Sequence, residues 1–424
     1  MERFMGILGI VFIFAIAFLC SNNRKKINYK TVGVGFVLQI LFAVFIFKVP
    51  LGQKMFLGIG LAIQKILDFA FQGGEFVFGG LMNYQLFDQV FGTGHRIFAI
   101  QLVASCIFMM ILVNILYYYG IMQKVVSVLG KAMNTLMRVS GAEALCAVAN
   151  SFVGQIVAQI MIKPYLAGLT RSELLSSMAG SMACISGAMM PIYIGMGIPA
   201  EYILASCVMA APGALVITKI MYPETETPET GKDIVLSNEK THVNLIDSIA
   251  SGASEGMQVA INVTAMLIAL VALVNMIDFI LGGIGTFIYN ACHLTAPVLG
   301  LDLQHLSLKM ILGKFFAIFA FLMGVPQVDV TQVSQLMGTK VILNEMVAYI
   351  DLSAIKDMLT PKAFLIASFA LCSFGNVGSI ATQIGGIGEL APNQKRNLAE
   401  LGFKALIAGT LTCFMSGTIA GILF

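Results

Sequence analysis

The feature that most constrains this chain is the spacing of its charges. Runs of about twenty apolar residues lie between charged clusters, the length needed to cross a hydrocarbon core of roughly 30 Å. Only 11% of the residues are charged and 58% are hydrophobic, whereas a water-soluble domain carries about a quarter charged residues. The chain is therefore expected to be solvated by lipid. A net charge of +3, spread over loops, offers no nucleic-acid surface. The eight cysteines, Cys20, Cys106, Cys146, Cys184, Cys207, Cys292, Cys372 and Cys413, mostly lie inside apolar runs without CxxC spacing. They read as packing residues, not as disulfides or metal ligands. His95, His242, His293 and His305 are isolated, which argues against zinc.

Positions 4–20, 31–49, 97–119, 203–221, 256–281 and 401–423 read as continuous spans. Those near 173–197 and 362–386 read as spans broken by glycine and small polar residues, about eight crossings in all. The glycine-punctuated stretch 51–96 is too broken for a standard span and is expected to hold an interfacial helix. Residues 222–245, containing PETETPETGKD, read as the one clearly solvated loop. The first twenty or so residues have a weak basic region and no small-residue cleavage site, so they read as a retained span.

Lys and Arg bias then sets orientation. With the N-terminus outside, Arg24, Lys25, Lys26 and Lys30 are cytoplasmic, as are Lys124, Lys131 and Arg138, Lys232 and Lys240, and Lys395 and Arg396. The agreement requires 143–168 and 311–358 to enter and leave on one side, as re-entrant hairpins. Both termini are then extracytoplasmic.

A gapless internal match supports that arrangement. Val157-Ala158 recurs as Val347-Ala348, Leu169-Thr170 as Leu359-Thr360, and Ile194-Gly195 as Ile384-Gly385; 347 − 157, 359 − 169 and 384 − 194 all equal 190. Residues this common leave coincidence open on the identities alone. Three spans separate the two hairpins, however, and an odd number inverts the second copy. Paired interrupted segments in inverted copies mark the midplane site of a secondary transporter. The same offset pairs Gln155 with Glu345, Ser186 with Asn376, and Met189 with Ser379.

Glu345, in LNEMVAY, is a carboxylate among apolar residues and so a functional candidate, unless it sits in water at a hairpin mouth. Asn376 and Ser379, in SFGNVGSI, lie three apart and share a helical face. They can bond a polyol or serve as polar glue between helices. In ANSFVGQIVAQ, Asn150, Gly154, Gln155 and Gln159 offer hard oxygen ligands suited to Na⁺, although Asn150 equally fits a helix cap. Glu143 reads as a first-turn helix charge. No HExxH, GxxxxGK[ST] or GxSxG is present, so neither an enzyme nor an ATP-driven pump is expected.

ANSFVGQ with KPYL, then GSMACISGAM, LNEMVAY and SFGNVGSIATQIGGIGELAP, together with SNNRKKIN and the MAAPGAL–MYPETE run, resemble the signature blocks of bacterial concentrative nucleoside transporters. The resemblance covers essentially the whole chain, with the blocks in order. It implies an all-α polytopic membrane protein of the inner membrane, with two opposed re-entrant hairpins, two broken helices and an inverted repeat. It also implies a homotrimer importing nucleosides by cation symport, each protomer having a scaffold domain and a mobile transport domain. On that reading 1–142 and 246–310 are mainly scaffold, 143–221 and 311–424 are the two transport repeats, and 222–245 is the cytoplasmic loop. The family's ribose-binding Glu, Asn and Ser match Glu345, Asn376 and Ser379, its junction Phe matches Phe374, and its base-facing Gly-Gln matches Gly154-Gln155.

The departures fall in the base half and the cation site. The family's GQTEAP is GQIVAQ here, which puts apolar Ile156 and Val157 where a Thr and a Glu contact the base, and the base-facing valine is Met189. A pocket that loses a hydrogen-bond partner loses discrimination at that atom, so a purine nucleoside or an unusual one such as pseudouridine is expected. The implied Na⁺ positions match Asn150, Val153 and Ile185, but the family's Ser is Cys184, a soft thiol poorly suited to a hard cation. Either Na⁺ is held with weaker help or the coupling ion is H⁺, for which Glu345 is the obvious carrier at this depth. The competing readings are a transporter of another small polar solute and a passive channel.

Overall fold

The computed structural model of the chain describes residues 2–82, 97–230, 243–291 and 302–424. His95, Lys232, Lys240, His242, Cys292 and His293 lie outside the described residues. Among the described residues the fold is all helical. The N-terminal part runs α1 (Glu2–Leu19), α2 (Tyr29–Lys48), α3 (Pro50–Phe78), α4 (Phe98–Tyr118) and α5 (Ile121–Met137). Then come the first hairpin, α6 (Gly141–Val153), α7 (Val157–Met161) and α8 (Lys163–Leu166), and the first broken span, α9 (Arg171–Met182) and α10 (Met190–Gly195). The spans α11 (Ala200–Met221) and α12 (Leu245–Ala291) follow, then α13 (Leu308–Leu322). The second hairpin is α14 (Val330–Ile342) and α15 (Glu345–Ile355), the second broken span α16 (Pro361–Leu371) and α17 (Val377–Leu390), and the last span α18 (Lys395–Leu423).

The six expected continuous spans correspond to α1, α2, α4, α11, α12 and α18, and both breaks are present. Three expectations need correction. The stretch from Pro50 is not broken but forms one helix of 29 residues, long and apolar enough to cross a membrane. Three of its glycines serve close packing: a Cβ at Gly52 would meet the Phe45 carbonyl, one at Gly60 would meet Ala200, and one at Gly74 would meet Ala104. Second, 311–358 is more than a hairpin. Gly324, at φ +85, and Pro326 end α13 before the hairpin begins at Val330. Third, the polar loop is not fully solvated. Pro223 and Thr230 are buried, Thr170 donates through its hydroxyl to Glu224 (2.8 Å), and Leu245 already belongs to α12.

The 190-residue offset holds well beyond the segments that first reveal it. Thr170 caps α9 and Thr360 caps α16, each hydroxyl accepting the N–H three residues on (360 − 170 = 190). Shifting α6 and α9 by the offset carries them onto α14 and α16 to within one residue at either end, and shifted α11 overlaps α18. Amphipathic α5 maps in the same way onto α13.

The mouth of the first hairpin is anchored by charge. Ser140 and Glu143 form a capping box, and the Glu143 carboxylate pairs with buried Lys219 of α11, which also donates to Ser172 (2.8 Å). Glu143 is thus the helix-terminal charge that the sequence suggests. Elsewhere α4 and α12 approach backbone to backbone. Cβ atoms at Gly252 and Gly256 would lie 2.7 and 2.5 Å from the Cα atoms of Ile111 and Ile107. Asn114 clips the same pair by donating to Glu255 at 3.0 Å. With 47 residues at 1.5 Å each, α12 is about 70 Å long, more than twice the hydrocarbon thickness.

Gly256→Val inserts two methyl groups and a branch point against the α4 backbone. It is expected to destabilise the protein by at least roughly 1–3 kcal/mol, read as a lower thermal midpoint in detergent, whereas Gly283→Ala, with open space beyond it, is expected to be neutral.

Candidate functional site

The site is built where the helices stop. Interrupting a helix at membrane depth frees N–H and C=O groups that no water reaches, so protein must satisfy them. The two breaks do this for each other: the Phe374 N–H donates to the Cys184 carbonyl at 3.2 Å. These residues are repeat counterparts (374 − 184 = 190), so the bond lies on the axis relating the copies. Within the first repeat, the Gly187 N–H donates to the Phe152 carbonyl at 3.0 Å, fastening break to hairpin. Gly154 turns the hairpin tip at φ +87, and a Cβ there would stand 2.6 Å from that of Ser186.

Glu345 opens α15 as its first residue, where the helix N-terminus favours a carboxylate. It is 5% exposed, so the hairpin-mouth reading fails. Tyr193, of the other repeat, donates to Oε1 at 3.0 Å, and Asn376 donates to Oε2 at 3.4 Å. Asn376 is the N-cap of α17. Its Oδ1 accepts from the Ser379 N–H (2.9 Å) and hydroxyl (3.2 Å). The pair is therefore a cap and its partner, not two residues of one helical face. Tyr193 is itself fixed by Tyr349, whose ring centroid lies 4.5 Å away.

The first repeat carries the mirror of this pairing. Gln383 donates to Gln155 at 3.5 Å and to the Met178 carbonyl at 3.2 Å. Gln155 is the counterpart of Glu345 and Gln383 that of Tyr193 (345 − 155 and 383 − 193 both equal 190). Each hairpin tip is thus held by the broken span of the opposite repeat. Tyr193 and Gln383 escape a motif search, but the offset finds both once one member of each pair is known.

Around Gln155 the surroundings are apolar. Ile156 reaches so near Gly386 that a Cβ there would lie 2.4 Å from its Cδ1, and Met189 is buried at the start of α10. Val157 begins α7 and packs against the core.

Of the implied cation positions Asn150, Val153, Cys184 and Ile185, Asn150 and Cys184 are bonded to each other. Asn150 does not cap a helix, since Ser140 caps α6; it lies in the last turn of α6. Its Oδ1 accepts from Ser181 (2.9 Å) and its carbonyl accepts from the Cys184 thiol (3.0 Å). Gln159 joins the network through Ser177 (2.6 Å) and Ser181 (3.1 Å). Both Asn150 oxygens thus accept from neutral donors, and the Cys184 thiol is a poor ligand for bound Na⁺.

Comparison with known proteins agrees with this architecture. Models of the Na⁺-dependent nucleoside transporter N-terminus and C-terminus match residues 8–81 and 202–421, and a nucleoside-recognition gate model matches 99–200. The chain is 39% identical over its full length to an uncharacterized transporter of Bacillus subtilis, YutK, covering 100% of that protein. It is 38% identical to the nucleoside permease NupC of Helicobacter pylori, over 98% of this chain and 97% of that one. The structure of CNTnw in an inward-facing substrate-bound state superimposes with a TM-score of 0.91 at 37% identity, over 100% of this chain and 98% of that one.

Gly154→Ala forces a side chain into a left-handed turn and against Ser186. It is expected to cost roughly 1–3 kcal/mol, seen as a lower thermal midpoint. Adding Ser186→Gly removes the Cβ that the new methyl meets and is expected to restore part of the loss.

Proposed function

We propose, since this chain belongs to the concentrative nucleoside transporter family, that it imports nucleosides across the inner membrane by proton symport. The observation that carries the reading is the setting of Glu345: a buried carboxylate met by Tyr193 and Asn376 from two broken spans, with Ser379 behind them. A vicinal diol is the natural ligand of such a group, because two hydroxyls can donate to one carboxylate while Asn376 and Ser379 turn to them. The sugar half would rest on Glu345, Asn376, Ser379 and Phe374. The base half would lie against Gly154, Gln155, Ile156, Val157 and Met189.

Proton coupling is favoured over Na⁺ by the Asn150 oxygens, which accept from Cys184 and Ser181 and leave a bare cation little to bind. Glu345 is then the proton-carrying group. Assembly as a homotrimer, with scaffold helices including α4 and α12 outermost and both termini extracytoplasmic, completes the reading. The apolar face of α12, with Phe279 and Phe287 largely exposed, supports burial against lipid or a neighbouring copy.

The test is uptake of a labelled nucleoside panel into proteoliposomes under imposed H⁺ or Na⁺ gradients. Concentrative uptake driven by the H⁺ gradient is expected, with purine nucleosides or pseudouridine preferred over uridine. Glu345→Gln replaces a charge-assisted hydrogen-bond acceptor and is expected to lower substrate affinity roughly tenfold to a hundredfold and to abolish the gradient response. Uptake driven only by Na⁺ would reverse the coupling assignment, and no uptake of any nucleoside would sink the cargo.

A further inference from the structure

Lys340 plays no part in the pairings above, yet it lies at the centre of the second repeat. It occupies the last turn of α14, is fully buried, and its Nζ has no hydrogen-bond partner among the described residues. Burying an ammonium without an acceptor costs several kcal/mol, so the surroundings must supply a compensating field. The C-terminus of its own helix supplies part of it. Lys340 lies near the C-terminus of α14, and its Nζ reaches the break between α16 and α17, where a Cβ on Gly375, the residue before the α17 N-cap, would stand 3.4 Å from it. Each helix C-terminus carries roughly half a negative charge. The Phe414 ring adds its face at 5.8 Å. Glu345, Cys413 and Cys372 are the ionisable groups within electrostatic reach. Beyond Leu343 and Asn344, Glu345 starts the next helix, so each of the two charges sits at a helix end of opposite sign.

The repeat identifies the position. Lys340 is the counterpart of Asn150 (340 − 150 = 190), which lies in the last turn of α6 and beside the break after α9. Neither of those helices carries a basic residue in its last turn, and neutral donors from Ser181 and Cys184 fill the place. The same junction of helix end and break is thus met in one repeat by neutral hydrogen bonds and in the other by a lysine. Half-helix C-termini at a membrane midplane are where transporters hold coupling cations.

We propose that Lys340 is a cation built into the second repeat, occupying a monovalent-cation site formed by the end of α14 and the break between α16 and α17, and positioning the hairpin tip that carries Glu345. Only the uptake arm of its test rests on the transporter reading. Lys340→Asn copies the first repeat's residue into the second and leaves the site in need of a free ion. Purified in detergent, this variant is expected to gain at least about 3 °C in thermal midpoint in NaCl over choline chloride, as ligand binding to the native state requires. The wild type is expected to gain less. In proteoliposomes its nucleoside uptake is expected to fall roughly tenfold without Na⁺ and to recover with it. Lys340→Met, which offers no ligand, is expected to stay impaired in both salts. A Lys340→Asn protein with no greater response to Na⁺ than the wild type overturns the proposal, and so does one that fails to fold in either salt. A wild type that carries no nucleoside leaves the stability arm, which needs no substrate, to decide the point.

Discussion

An interrupted helix inside a membrane leaves backbone groups that water cannot reach, and this chain has two such interruptions placed against each other. The Phe374–Cys184 backbone bond closes one break with the other, and Gly187–Phe152 closes break to hairpin. Once those bonds are required, the hairpin tips must meet the breaks, and polar side chains must gather there to satisfy what remains. Glu345, Asn376, Tyr193, Gln155 and Gln383 are buried or half-buried at this depth because the backbone around them already needs polar company.

The inverted repeat makes that gathering crossed. Each tip is bonded by the broken span of the opposite copy, so neither repeat completes its site alone. The copies have diverged in charge more than in geometry. The second tip holds a carboxylate and a lysine at helix ends of opposite sign, a strongly polar setting fit for hydroxyl groups. The first is neutral, its amides and thiol hydrogen-bonded among themselves, with Ile156 pressed against Gly386.

Around this centre, rigidity is distributed unevenly. The base of the first hairpin is pinned by a capping box and by the buried Glu143–Lys219 pair, with Thr170 and Glu224 tying a neighbouring loop to the same place. Breaking a buried pair of that kind strands a charge, so it holds the base firmly. The tips depend on longer bonds, 3.4 Å from Asn376 to Glu345 and 3.5 Å from Gln383 to Gln155. Bonds of that length are the weaker ones.

The sequence by itself determined that the chain is helical and lipid-embedded, where most of its spans lie, and that two broken segments recur at a fixed offset. Charge spacing and span length follow from the thickness of a bilayer, which acts on the chain locally, residue by residue. The same local reading found Glu345, Asn376 and Ser379, because polar residues among apolar ones are conspicuous at any fold. It misjudged Gly52, Gly60 and Gly74, since a glycine in a helix reads as a break until a neighbouring segment is seen packed against it. Only the tertiary structure decided that Tyr193 and Gln383 complete the tips, that Asn150 is occupied by neutral donors, and that Lys340 stands buried at a helix end and a break. Those facts depend on which helix ends converge, and convergence is set by packing between segments from 31 to 228 residues apart, which no local pattern records.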